Sequence, residues 1–303
     1  MSVHFEISDL NQNFYESYSK CTDLEELEEC WKNYIDHADK LKFNSQFSCM
    51  CNDGDMLKAE WLIAKSKEVD RNIDINDTTS TPLCSAVQSG KLDVVKWLDE
   101  IATAQNKMLD LHISNDYVFR CVCQYGYEDI FDWLMEKTDD IDINMNDNYQ
   151  FILACYAGHV GIAKRLYKLS LKRGNMIDLK KHGAHLFVEP CVHGHLETAK
   201  WLYKCAKEQG YKYNIRGSRH SAFRGICKYG NLETVKWLYD KGLELKQPID
   251  IHVGHDEPFR NACESGNLEI AQWLYDISKS KRRIGRIDVR VYNEHAFYWA
   301  CTY

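Results

Sequence analysis

Cysteine and histidine are the side chains here whose types and spacing could do chemistry. Cys49-Met-Cys51 and Cys121-Val-Cys123 are close pairs, and Cys191, His193 and His195 follow His182 and His185. Zinc accepts such ligands, but four must converge tetrahedrally. Residues two apart on a short helix do not share a face, so neither cysteine pair resembles a closed site. The sequence contains no GxGxxG or GxxxxGKS/T loop for nucleotide phosphates, no GxSxG elbow and no HExxH helix. The expectation is a protein that is not an enzyme, with no catalytic, cofactor-binding or metal-ligating residues and no cofactor.

Composition narrows the remaining classes. The chain has 303 residues, 45% hydrophobic and 27% charged, with 38 Lys and Arg against 45 Asp and Glu. The formal net charge of -7 disfavours generic binding to nucleic-acid backbone or anionic lipid. No stretch approaches the roughly 18 continuous apolar residues of a membrane span, so no membrane insertion is expected. The 13 Cys are an odd number, set mostly in apolar stretches, and the N-terminal MSVHFEISDLNQNF has no basic segment leading into an apolar run. These features predict a reduced, intracellular protein, with cytoplasm and nucleus left open.

The elements that position these residues repeat. A glycine recurs at Gly54, Gly90, Gly126, Gly158, Gly194, Gly230 and Gly266, spaced by 36, 36, 32, 36, 36 and 36 residues. Seven positions after this anchor stand Trp61, Trp97, Trp133, Arg165, Trp201, Trp237 and Trp273, each followed by Leu. Three positions before it stand Cys51, Val87, Cys123, Cys155, Cys191, Cys227 and Cys263, and seven before it Phe47, Leu83, Phe119, Phe151, Phe187, Phe223 and Phe259. Both the Trp and the Cys series are expected in the repeat core, against the alternatives of an exposed aromatic ladder or reactive thiols.

Each unit reads as two short antiparallel helices joined at the anchor, where glycine reaches a left-handed backbone without a side-chain clash. In KLDVVKWLDE, Leu92, Val95 and Leu98 mark the buried stripe of the second helix, widened by Val94. Ile75, Leu111, Ile143, Leu179, Ile215 and Ile251 lie fifteen positions before the next anchor, in alternating segments such as IDIN that fit an extended hairpin arm. A unit of this size cannot bury its apolar face alone, so copies must stack.

TPLCSAVQSGKLDVVKWLDE, from Thr81 to Glu100, resembles an ankyrin repeat. The family's Thr-Pro-Leu opening is met at Thr81, Pro82 and Leu83, while its following histidine is Cys84 here and Arg120, Arg224 or Arg260 elsewhere. Its small first-helix residue falls on the Cys series and a second-helix leucine on the Trp series. A spacing of 36, where 33 is usual, resembles the divergent ankyrin proteins of large DNA viruses and amoebae. The resemblance implies an all-α, ankyrin-type solenoid of stacked helix-turn-helix repeats with short β-hairpin arms. It also implies a non-catalytic scaffold or adaptor that binds one or more proteins, host proteins among the possible partners, through hairpin tips and a concave first-helix surface. Arg120, Arg224 and Arg260 are the candidate partner-binding residues.

Residues 1–42 form the N-terminal part. Residues 1–20 show no repeat and read as a loose arm. From Leu24 through Trp31 to Ala38 apolar residues line one helical face, with Thr22 and Glu25 as a capping box, so a helix is expected to cover the first unit. Residues 43–303 then hold seven anchor-containing units and a truncated eighth, marked by Phe297 and Cys301. Near the end, Lys279, Lys281, Arg282, Arg283 and Arg286 form a basic run that reads as a solvated loop. Two other roles stay open: a structural protein that assembles with itself, and a nucleic-acid-binding module using Arg282 and Arg283. Oligomeric state is not legible.

Overall fold

The computed structural model describes residues 7–79, 81–138, 141–143, 145–216, 220–280 and 285–287. Its contacts cluster into two compact units, Met1–Ile141 and Asp142–Tyr303. Among the described residues every regular element is helical.

In the first unit, α1 (Ile7–Ser19), α2 (Leu24–Lys32) and a short 3-10 helix (Ile35–Lys40) precede three helix pairs: α3 (Phe43–Asp53) with α4 (Met56–Glu68), α5 (Pro82–Gln88) with α6 (Leu92–Ala104), and α7 (Ile113–Tyr125) with α8 (Glu128–Lys137). The second unit contains four pairs: α9 (Met145–Tyr156) with α10 (Val160–Lys172), α11 (His185–Val192) with α12 (Leu196–Glu208), α13 (Ser221–Tyr229) with α14 (Leu232–Glu244), and α15 (Val253–Glu264) with α16 (Leu268–Ser280). First helices pack on first helices, α3 on α5 and α5 on α7 in one unit, α9 on α11, α11 on α13 and α13 on α15 in the other. Within each unit this is the all-α, ankyrin-type stacking that the repeat period predicts.

The frame follows from three residues per pair. Phe47, Leu83, Phe119, Phe151, Phe187 and Phe223 are at most 1% exposed and seal the first helices. Leu62, Leu98, Leu134, Leu166, Leu202, Leu238 and Leu274 are all 0% exposed, one per second helix. Burying each such side chain contributes about 1.5 to 3 kcal/mol. The anchor glycine ends the first helix: Gly54 has φ 77° and its N–H donates to the Met50 carbonyl at 2.9 Å, a left-handed cap that a β-carbon would strain. Gly230 departs from this, with φ -86°.

Four expectations need correction. Residues 7–19 are not a loose arm but α1, because Leu10, Phe14 and Tyr18, four apart, face inward at 7%, 0% and 1% exposure. Phe14 meets Tyr18, Trp31, Tyr34 and Trp61 with ring centroids 5.0 to 6.4 Å away. The Tyr18 hydroxyl donates to Gln46 Oε1 at 2.7 Å, and Asn11 Oδ1 accepts from the Lys42 N–H at 2.7 Å. The capping box lies one residue later than expected: Asp23 caps α2 by accepting from the Glu26 N–H at 2.9 Å, and Glu26 Oε2 reaches back to the Thr22 N–H. The expected continuous helix to Ala38 also breaks after Lys32, and the 3-10 turn that follows still buries Ala38.

The fourth correction concerns the arms. Among the described residues no strand is present, so the β-hairpins are replaced by side-chain-closed turns. Ile75, Ile143, Leu179, Ile215 and Ile251 point inward, while Leu111 is only half-buried; two positions earlier Ile73, Leu109, Ile141, Ile177, Tyr213 and Ile249 are buried as well. The polar residue between each pair turns the chain. Asp74, Asp110, Asp178, Asn214 and Asp250 each accept from the backbone N–H two residues on, at 2.9 to 3.2 Å. Neighbouring turns are tied by side chains where strands would pair: Asn76 donates to the Met108 carbonyl at 2.9 Å and accepts from the Asp110 N–H at 3.0 Å. The truncated eighth unit, with Phe297 and Cys301, and the Lys281, Arg282 and Arg283 part of the basic run lie outside the described residues.

Candidate interaction surface

With the frame buried, what varies between units is the exposed side of the first helix and the turns. Three of these helices are entered through consecutive left-handed residues: Ser114, Asn115 and Asp116; Asn146, Asp147 and Asn148; Gly254, His255 and Asp256. Asn, Asp and Gly tolerate that conformation best, which fits their use here. In two of the turns a histidine closes on the buried aspartate, His112 Nδ1 to Asp116 Oδ1 and His252 Nδ1 to Asp256 Oδ1, both 2.5 Å.

Arg120 and Arg260 sit just inside two of these turns, on α7 and α15, and Arg224 lies on α13. Arg120 lies with its guanidinium 5.4 Å from the Tyr117 ring centre and donates to the Ser114 carbonyl at 3.4 Å, while its solvent-shielded Nε has no hydrogen-bond partner among the described residues. Arg224 Nη1 contacts both Glu257 carboxylate oxygens, at 2.7 and 2.8 Å, joining α13 to α15. Arg260 donates to the carbonyls of Gly254 and His255. Each of the three is thus held by a different set of partners.

Around Arg120 the sequence reading missed an aromatic group. Tyr125 is 42% exposed at the end of α7, its ring 5.9 Å from Tyr127, and Tyr117 lies on the same helix. The Tyr117 pKa is pushed up to about 12, first by a hydrogen bond with Cys121 and then by burial, so the phenol stays a neutral donor. Tyr127 donates to the Gln88 carbonyl at 3.0 Å. Tyrosine and arginine are the residue types that dominate protein interfaces, since each offers broad contact with a polar tip. Their signal in the sequence was partial: Tyr117 shares its register with Tyr149, Tyr125 with Tyr229 and Arg120 with Arg224 and Arg260, while the remaining units carry unrelated residues there.

The repeated Trp residues are placed unevenly. Trp61 and Trp133 are buried at 5% and 7% exposure, but Trp97, Trp201, Trp237 and Trp273 are only partly covered, which corrects the expectation of uniform burial. The tryptophan lies at the margin of the second-helix stripe, and the leucine beside it occupies the centre. Trp61 is covered because α1 and α2 lie over it: Trp31 packs edge-on at 6.2 Å and Glu28 Oε1 accepts its indole N–H at 3.1 Å.

Cys51, Cys123, Cys155, Cys191 and Cys227 are buried and Cys263 is half-buried. The described cysteines are free thiols. Burial raises the pKa of each member of the series, to about 11 for Cys263, so at neutral pH they are protonated and poor nucleophiles. Cys191 faces the core, whereas His193 is exposed near Glu189 at 3.7 Å and His195 lies against Gly158. Among the described residues no group of three or more His, Cys, Asp or Glu could hold a metal ion, and no helix is long and apolar enough to cross a membrane.

Comparison with known proteins adds one finding. Residues 220–275, which contain α13, α14, α15 and α16 as far as Tyr275, match the family model for ankyrin repeats (many copies). That match supports an ankyrin repeat protein. No curated protein matches the chain.

Proposed function

We propose that the chain is a non-catalytic protein-interaction scaffold or adaptor, holding a partner on the first-helix surface and the turns. Ankyrin repeats are generally protein-interaction modules, and the match to that family model over 220–275 supports the reading. The observation that carries the reading is the division of labour within each unit: the seven leucines of the second helices are fully buried, while Tyr117, Arg120 and Tyr125 stand at variable positions with surface to offer. Arg120 is stacked on Tyr117 in advance of binding, which lowers the ordering cost of a contact. Residues 7–40 serve as the cap of the first pair, covering Trp61 and Phe47's neighbours with Phe14, Tyr18 and Trp31.

The experiment is proximity labelling of the whole chain in cells, followed by binding of purified candidates. A direct, specific protein partner whose affinity falls on Arg120→Glu supports the reading. Absence of any direct protein partner counts against it.

A further inference from the structure

A second surface, on the opposite helices, carries its own signature. Helix α10, VGIAKRLYKLSLK, holds Lys164, Arg165, Lys168 and Lys172 and no acidic residue, in a chain of net charge -7. One repeat on, Lys200 and Lys204 occupy the positions of Lys164 and Lys168, and Lys236 continues the first row on α14. Lys164, Lys168 and Lys236 are exposed, and none forms an ion pair within 4.0 Å among the described residues. α10 packs on α12, with the Tyr167 and Trp201 rings in contact, so the lysines of the two helices stand on neighbouring elements.

Between the rows run partly exposed aromatic rings. Trp201 stands edge-on to Tyr167 at 5.8 Å, Trp237 edge-on to Tyr203 at 6.4 Å, and Lys241 lies 5.5 Å from the Tyr203 ring centre. The Trp that the repeat pattern assigns to the core is thus, in this unit, half a surface residue. Aromatic area flanked by cations suits a partner with both carboxylates and apolar side chains. Phosphate backbones are favoured less, because the free cations are lysines, and Glu197, Glu208, Glu233, Asp240 and Glu244 interrupt the rows, Asp240 taking the place on α14 that Lys168 and Lys204 hold on α10 and α12.

We infer that the second-helix face of α10, α12 and α14 docks an acidic, apolar-containing protein segment along a lysine-bordered aromatic ladder. This surface is separate from the first-helix surface of the proposed function, so its failure leaves that reading standing.

The test uses the full chain and fluorescent synthetic peptides: one of Glu and Asp interspersed with Leu and Phe, one of Glu alone, and a basic peptide. Single-stranded oligonucleotide and phosphatidylserine vesicles are run in parallel. The mixed acidic peptide is expected to bind best, more weakly at high salt, and to lose about tenfold or more on combined Lys164→Glu, Lys168→Glu and Lys204→Glu. Combined Lys40→Glu, Lys67→Glu and Lys96→Glu, with the same change in net charge, leaves binding near wild type. Matching thermal melts of the two triple variants exclude unfolding as the cause. No binding of the mixed peptide at low salt, equal loss in both variants, or preference for oligonucleotide or vesicles through the same lysines overturns the inference. Equal binding of the all-Glu peptide overturns the role of the aromatic ladder.

Discussion

A β-carbon on Gly90 would lie 2.6 Å from Cε1 of Tyr127, the residue that follows the next anchor. The same relationship recurs between Gly158 and His195, at 2.4 Å to Nδ1, and between Gly194 and Asn231, at 2.7 Å to Nδ2. The anchor is glycine for two reasons: a left-handed backbone, and a neighbour seated on its open face. Among the described residues Gly266 has the first reason alone, with φ 69° and no described atom within 4 Å of an added β-carbon. Gly90→Ala is therefore expected to destabilise by about 1 to 3 kcal/mol more than Gly266→Ala, since Tyr127 must leave its bond to Gln88 or clash. Urea unfolding of the two variants checks this; equal midpoints would show that the close approach carries no weight.

Phe14→Ala tests the N-terminal helix. Phe14 is fully buried against four rings, so truncation is expected to lower stability by about 3 to 5 kcal/mol. Deletion of α1 should in addition make the Trp61 indole more accessible, read as a red shift of fluorescence. An unchanged melt for Phe14→Ala would restore the loose arm that the sequence suggested.

Trp133→Ala and Trp201→Ala separate buried from marginal tryptophans. At 7% exposure Trp133 is expected to lose about 3 to 5 kcal/mol, and partly exposed Trp201 clearly less. Chemical denaturation of both decides it. Equal losses would return the whole Trp series to the core and remove the aromatic ladder.

Thiol burial sets an alkaline limit. Desolvation raises Cys30, Cys84, Cys205 and Cys263 from 9.0 to about 11 in the folded chain. A folded-state pKa above the unfolded one contributes stability that is fully present below the unfolded pKa and lost as pH rises through the folded one. Stability should accordingly fall between about pH 9 and pH 11, and Cys205→Ala should reduce the slope. Unfolding midpoints across that window test it; a flat profile contradicts buried thiols.

How far the fold was legible follows from particular residues. Anchor glycine, core phenylalanine and the Leu after Trp each answer one geometric need at one register, so repetition exposed them. Phe14 answers the same need once, and a search for periodicity passed over its spacing from Leu10 and Tyr18. Ile73 and Ile75 alternate as a strand would, yet the Asp74 carboxylate closes a turn between them, and no period distinguishes these outcomes. The arginine register at 120, 224 and 260 was visible, whereas the Glu257 that engages Arg224 is a neighbour in space alone. Tyr117 and Tyr125 each recur in one other unit, at Tyr149 and Tyr229, too sparsely to stand out beside the core series.

The central claim is that a buried repeated frame leaves Tyr117, Arg120 and Tyr125 free to recognise a protein. For a purified direct partner, the decisive measurement is the affinity of the Arg120→Ala, Tyr125→Ala chain by titration calorimetry, beside its melting temperature. The account predicts roughly tenfold or greater weakening with an unchanged melt. Wild-type affinity in that double variant would contradict it.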